Sequence, residues 1–265
     1  MGQVIAVTGK GGVGKTTVAA LIVRALVEAG QGPVLAVDAD PNMCLGELLG
    51  VTVTASVGRV REEARQIAGA GMAAGISKQQ MLELKIAESL VEADNFDLIA
   101  MGRCEGPGCY CYANNVLKQV IGQIARNYPY IVMDNEAGLE NLSRRIVQAV
   151  DLMVVVADPS RRGLETARRL RELAAEMNIE FRRLALVVNR IRPASDRQNA
   201  ADTAAAIGAD DLVLLPEDDE VAAAAERGES IMTLSKDNPV LRQVDVLLAA
   251  LNTANVLPAA AGTQE

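Results

Sequence analysis

The sequence predicts an α/β fold, a single domain on a mostly parallel sheet of about seven strands with helices on both faces. Three observations carry that expectation. Short apolar runs recur along the chain with helical stretches between them. The first run leads directly into a glycine-rich loop and then a helix. With 265 residues and 50% hydrophobic content, the chain can bury one large core. No linker or repeat divides residues 1–257, which read as the domain, and residues 258–265 read as a disordered tail.

The first strand is Val4 to Val7, followed by Gly9-Lys10-Gly11-Gly12-Val13-Gly14-Lys15-Thr16-Thr17 and by a helix over Val18 to Ala29 that Gly30 stops. A loop so placed aims backbone N–H groups and the positive end of a helix at one point, where a polyphosphate is stabilised. Gly9, Gly11 and Gly14 satisfy G-x-G-x-x-G, and Asp38 stands about where a dinucleotide fold keeps its ribose acid. Gly9 to Thr16 also satisfies G-x-x-x-x-G-K-[ST], in which Lys15 reaches the β- and γ-phosphates and the Thr16 hydroxyl coordinates magnesium. Two lysines suit a triphosphate with its metal better than a pyrophosphate, so the nucleoside triphosphate reading is preferred.

Further strands read at Val34 to Val37, Asp97 to Met101, Tyr130 to Met133, Leu152 to Ala157, Leu184 to Val188 and Leu212 to Leu215. Their ends deliver Asp38, Gly102, Asp134, Asp158, Asn189 and Pro216 to one edge of the sheet. The second runs into Asp38-Ala39-Asp40-Pro41-Asn42, two carboxylates beside a phosphate loop, which metal or water chemistry would use. Cys44 reads as a small core residue. Ala55 to Asp94 reads as helical with a weaker centre at Gly69 to Gly75, covering the sheet or bearing a partner. Asp134 closes a hydrophobic strand, the Walker B arrangement that holds magnesium through water, and Gly138 follows in a mobile switch.

Base choice follows from Asn189-Arg190-Ile191-Arg192, where an arginine replaces the carboxylate a guanine site needs. Asn189 and Arg190, with the Pro216-Glu217-Asp218 turn, suit an adenine pocket, so ATP is expected. Val240 to Leu251 reads as a last helix, with Arg242 against Asp245 and without the basic face of a membrane-binding tail.

The chain is acidic, with net charge −8, which disfavours nonspecific contact with nucleic acid or an anionic membrane. The arginines at 161, 162, 168, 169 and 171 share their helix with Glu165, Glu172 and Glu176 and read as a solvated face. No apolar stretch is long enough to span a bilayer and no signal-like core follows Met1, so a cytoplasmic location is expected. There is no histidine, which excludes imidazole catalysis and leaves metal binding to thiolates, carboxylates, backbone or water. Three of the four cysteines, Cys104, Cys109 and Cys111, fall in a glycine- and proline-rich stretch before helical residues Asn115 to Arg126, where thiol pKa values are depressed. The two thiolates of the C-x-C pair, Cys109 and Cys111, cannot complete a tetrahedral site, but a two-fold dimer doubles them to four.

The glycine loop, with its extra Lys10, resembles the deviant P-loop of the ParA/MinD/nitrogenase-iron-protein group. That resemblance implies that Lys10 crosses a nucleotide-bridged homodimer to the partner's phosphates, that Asp40 activates the attacking water, and that Asp38 lies near the magnesium shell. Glu105-Gly106-Pro107-Gly108-Cys109-Tyr110-Cys111-Tyr112 and Asp134-Asn135-Glu136-Ala137-Gly138 closely resemble the CooC-type nickel-insertion ATPases that mature carbon monoxide dehydrogenase. In that family the cysteines at the positions of Cys109 and Cys111 bind one nickel or zinc ion across the dimer. An acetyl-CoA synthase maturation ATPase would share these motifs. An iron–sulfur redox protein would need a switch II cysteine, and residues 134–140 contain none. A partitioning or positioning ATPase on DNA or membrane is the remaining alternative.

Overall fold

A computed structural model describes residues 2–60, 62–63, 78–102, 121–139 and 150–254. Eight strands form one sheet: β1 (Gln3–Gly9), β2 (Val34–Asp38), β3 (Val91–Glu92), β4 (Phe96–Ala100), β5 (Tyr130–Asp134), β6 (Val150–Ala157), β7 (Phe181–Ile191) and β8 (Asp211–Pro216). Their order across the sheet is β3-β4-β2-β5-β1-β6-β7-β8. Every pairing is parallel except β3 with β4. The expected single domain and mostly parallel sheet are found, with eight strands instead of about seven. The additional strand is two residues long, too short to produce a run, and its antiparallel pairing caps the edge.

The central strands β2 and β5 are buried at every position, because helices cover both faces. Side chains alternate across the sheet. Val4 and Ala6 enter one core with Leu164, Ala167 and Leu170, whereas Ile5 and Val7 enter the other with Leu21, Ile22 and Leu26. The second face carries α1 (Lys15–Glu28), α2 (Leu45–Leu49) and, later in the chain, Val240 to Leu251. The first face carries Ile86 of α3 (Lys78–Glu88), α4 (Arg161–Glu176) and α5 (Arg197–Ile207). The chain ends its described part with α6 (Asp219–Arg227) and α7 (Pro239–Ala254).

Residues 51–56 are not helical, residues 57–60 and 62–63 are, and α3 precedes β3, so Ala55 to Asp94 is not one broken helix. Its centre, 64–77, lies outside the described residues, as do 255–265 with the expected tail. Strand β7 extends well past the expected Leu184 to Val188 because Phe181, Arg183 and Ile191 also pair with neighbours. Arg242 pairs with Asp237 at 3.0 Å and not with Asp245, because Asp237 lies just before the start of the same helix. Among the described residues no helix is long and apolar enough to cross a membrane.

Candidate active site

The chemistry gathers at the C-terminal ends of β1, β2, β5 and β7. Strand β1 ends at Gly9, and the loop enters α1 through Gly14, whose φ of +93° is a left-handed conformation that a side chain would strain. No side chain caps α1 and no acid occupies its first turn. Helices α4, α5 and α6 are instead capped by Ser160, Asp196 and Asp218. The α1 terminus therefore keeps its N–H groups and dipole for an external anion. Lys15 is only 7% exposed, and its Nζ donates to the Lys10 carbonyl at 3.3 Å across the loop. The Lys10 side chain itself is exposed, lining a cleft of about 620 Å³ with Arg161, Arg162, Glu165, Thr166 and Arg169.

The carboxylates come next. Register sets Asp38 of β2 directly beside Asp134 of β5, and both are fully buried. Asp38 accepts from the N–H of Asp40 at 3.1 Å and of Leu45 at 2.9 Å, while burial pushes its carboxyl up to about 6. Burial pushes Asp134 further, to about 7. The Thr16 hydroxyl and the Lys15 charge pull the other way, and Asp38 adds to the rise. Both Asp134 carboxylate oxygens are without a hydrogen-bond partner of ordinary geometry. A magnesium ion fits this donor set, since hard oxygens with no other partner, next to a threonine hydroxyl, are what that cation takes. Asp40 is half-buried, and its Oδ1 accepts from Asn42 N at 2.8 Å, closing the turn after β2.

The expected base pocket is partly engaged within the protein. Asn189 Nδ2 donates to the Val13 carbonyl at 2.9 Å, and Asn189 Oδ1 accepts from Arg190 N at 2.9 Å. Arg192 forms a two-pronged ion pair with Glu217, both contacts at 2.6 Å, just beyond Asn189. Asp218 accepts through Oδ1 from Val221 N and from Asn238 Nδ2, each at 3.0 Å, which caps α6 and ties it to the segment before α7. Pro216 ends β8.

Cys104, Cys109 and Cys111 lie outside the described residues, and no metal-binding cluster occurs among the described ones. Cys44 is exposed, correcting the expectation of a core residue. Leu45, the first residue of α2, takes the buried position instead, and the turn from Asp40 to Met43 leaves the thiol outside. Of the arginine face, Arg168 and Arg169 do share Glu165, at 3.6 and 3.9 Å. Sequence reasoning missed Thr8 and Asn135, which tie β1 to the segment after β5: Asn135 N and Nδ2 both donate to the Val7 carbonyl, at 3.1 and 3.0 Å. Adjacency to the loop and to Asp134 was the available signal.

Comparison with known proteins agrees with this arrangement. Residues 4–231 match the family model described as the CobQ/CobB/MinD/ParA nucleotide binding domain. The chain is 42% identical over 245 residues to an uncharacterised ATP-binding protein of Methanocaldococcus jannaschii, covering 92% of this chain and 96% of that one. It is 31% identical over 259 residues to the carbon monoxide dehydrogenase accessory protein CooC of Rhodospirillum rubrum, covering 93% and 95%. Among solved structures, the MinC:MinD cell division complex of Aquifex aeolicus has the same fold, with a TM-score of 0.68, 23% identity and coverage of 94% and 96%. Over a sheet with a glycine loop at its centre and paired aspartates beside it, the chain belongs to the CobQ/CobB/MinD/ParA nucleotide-binding domain family and is a P-loop ATPase.

Proposed function

We propose that this ATPase works as a homodimer that delivers nickel to a client enzyme, carbon monoxide dehydrogenase or a metalloenzyme of related chemistry. The observation that carries the reading is near end-to-end similarity to the CooC accessory protein, together with the Cys109-Tyr110-Cys111 segment in a chain with no histidine. Gly9, Gly11, Gly12, Val13, Gly14, Lys15, Thr16 and Thr17 would cradle the triphosphate, and magnesium would neutralise its charge beside Thr16, Asp38 and Asp134. Lys10, whose side chain is exposed at the front of the loop, is free to act on the partner's nucleotide, supplying charge in the transition state as an arginine finger does. Asp40 would orient the attacking water. Cys109 and Cys111 from each subunit would share one nickel or zinc ion, giving the cargo four thiolates.

The test is transfer. Metal-loaded protein with ATP should activate nickel-free carbon monoxide dehydrogenase faster than free nickel at the same concentration, and the non-hydrolysable ATP analogue should not support it. Equal activation by free nickel would remove the delivery role. The runner-up is a MinD-type positioning ATPase, which the family description equally embraces. Salt-dependent binding to DNA or to anionic vesicles would favour it, against a net charge of −8.

A further inference from the structure

The end of β7 holds the phosphate loop from behind. Asn189 Nδ2 donates to the Val13 carbonyl at 2.9 Å, and the Arg190 guanidinium lies 3.4 Å from the Gly12 carbonyl. In a trans peptide the C=O and the next N–H point in opposite directions. Drawing the Val13 carbonyl toward β7 therefore turns the Gly14 N–H away from β7, and drawing the Gly12 carbonyl does the same for the Val13 N–H. Those are the amides of the loop that a phosphate would meet.

The clamp is built with some care for its orientation. Arg190 N–H donates to Asn189 Oδ1 at 2.9 Å, so the amide is fixed with its NH₂ end toward the loop. Arg190 is itself left-handed, with φ of +59°, at an irregularity in the β7–β8 register between Val188 and Ile191. The approach is close. A Cβ on Gly14 would stand 2.4 Å from Asn189 Nδ2, so a glycine at 14 is what lets the asparagine reach under the loop.

We propose that Asn189 is a positioning residue for phosphate, seconded by Arg190, and that it sets the peptide planes of Gly12 to Gly14 before any nucleotide arrives. Asn189 then matters to every triphosphate, whatever its base. The inference rests on ATP binding alone and stands or falls apart from the metal-delivery reading.

Inorganic tripolyphosphate, which has neither base nor ribose, separates this role from base recognition. Binding of magnesium-ATP and magnesium-tripolyphosphate would be measured calorimetrically for the wild type, Asn189→Ala and the isosteric Asn189→Asp. Melting curves would establish that each variant is folded at the assay temperature. The Asp variant keeps the acceptor for Arg190 N but sets an oxygen against the Val13 carbonyl. The expected result is a parallel loss of both ligands, about tenfold for Ala and no smaller for Asp. Loss of ATP with tripolyphosphate retained would assign Asn189 to the base and overturn the proposal. Retention of both ligands with a lowered melting temperature would reduce Asn189 to a structural tie and overturn it equally.

Discussion

The Thr8 hydroxyl donates to the Gly138 carbonyl at 2.6 Å, from a side chain that is completely buried. Thr8 is the next-to-last residue of β1 and Gly138, with φ of +106°, lies in the segment after β5 that follows Asp134. One hydrogen bond thus connects the strand that launches the phosphate loop with the segment expected to answer the γ-phosphate.

Thr8→Val should keep the shape and lose the bond. We expect a stability cost of about 1–3 kcal/mol if the Gly138 carbonyl stays dry. Turnover should fall several-fold with the ATP dissociation constant held within about twofold, because the loop itself is untouched. Chemical denaturation beside steady-state kinetics measures both. A matching loss of ATP affinity would show that Thr8 supports the loop and not the switch.

The two lysines should separate. Lys15→Ala should weaken nucleotide binding directly, since Lys15 is nearly buried within the loop. Lys10→Ala should bind ATP as a monomer yet lose hydrolysis by about 10³-fold and lose ATP-driven dimerisation. Equal loss of binding in both variants would place Lys10 on its own subunit's nucleotide.

Asp40→Ala should bind magnesium-ATP but hydrolyse it about 10²-fold more slowly, accumulating the ATP-bound dimer. Single-turnover hydrolysis beside light scattering reads this. Because Asp40 also closes its turn through Asn42 N, Asp40→Asn, which keeps an acceptor there, is the better-matched variant. Wild-type turnover in both would transfer the role elsewhere.

The buried aspartates predict a pH dependence of unusual sign. Folding raises both carboxyls above their unfolded value near 3.8, Asp38 to about 6 and Asp134 to about 7, through burial. Between those limits the folded state binds more protons, so stability contributed by these groups falls as pH rises from about 4 to 7. Metal-free protein should therefore melt several degrees lower at pH 8 than at pH 6. Magnesium-ADP should narrow the difference, since a cation stabilises the charged forms. A melting temperature that rises from pH 6 to pH 8 without ligand would contradict the assignment.

Much of the fold is legible because β1, β2, β5 and β6 are continuous apolar runs, which only a sheet buried on both faces requires. Asp38 and Asp134 are legible because each ends such a run, and the glycine loop because its spacing is constrained. What sequence hides is partnership across the sheet. Nothing in Asn189 announces that its amide will meet Val13, 176 positions away, or in Glu217 that it will be held by Arg192. Cys44 fails for a local reason: hydrophobicity places it inside, but an Asp-Pro-Asn turn gives the buried position to its neighbour Leu45. The two residues of β3 contain too little pattern to be read at all.

The claim that most needs a direct measurement is the shared metal. Anaerobic titration with nickel and with zinc, followed by sulfur-to-metal charge-transfer absorbance and native mass analysis, counts ions per subunit. One ion per dimer is expected, with affinity that tightens as the dimer forms, since metal binding and dimerisation promote each other by the same free energy. Cys109→Ser or Cys111→Ser should abolish tight binding while sparing ATP binding, and Cys44→Ser should change neither. One ion per monomer, or undiminished binding in the Cys109→Ser, Cys111→Ser double variant, would contradict the shared site and with it the case for metal delivery.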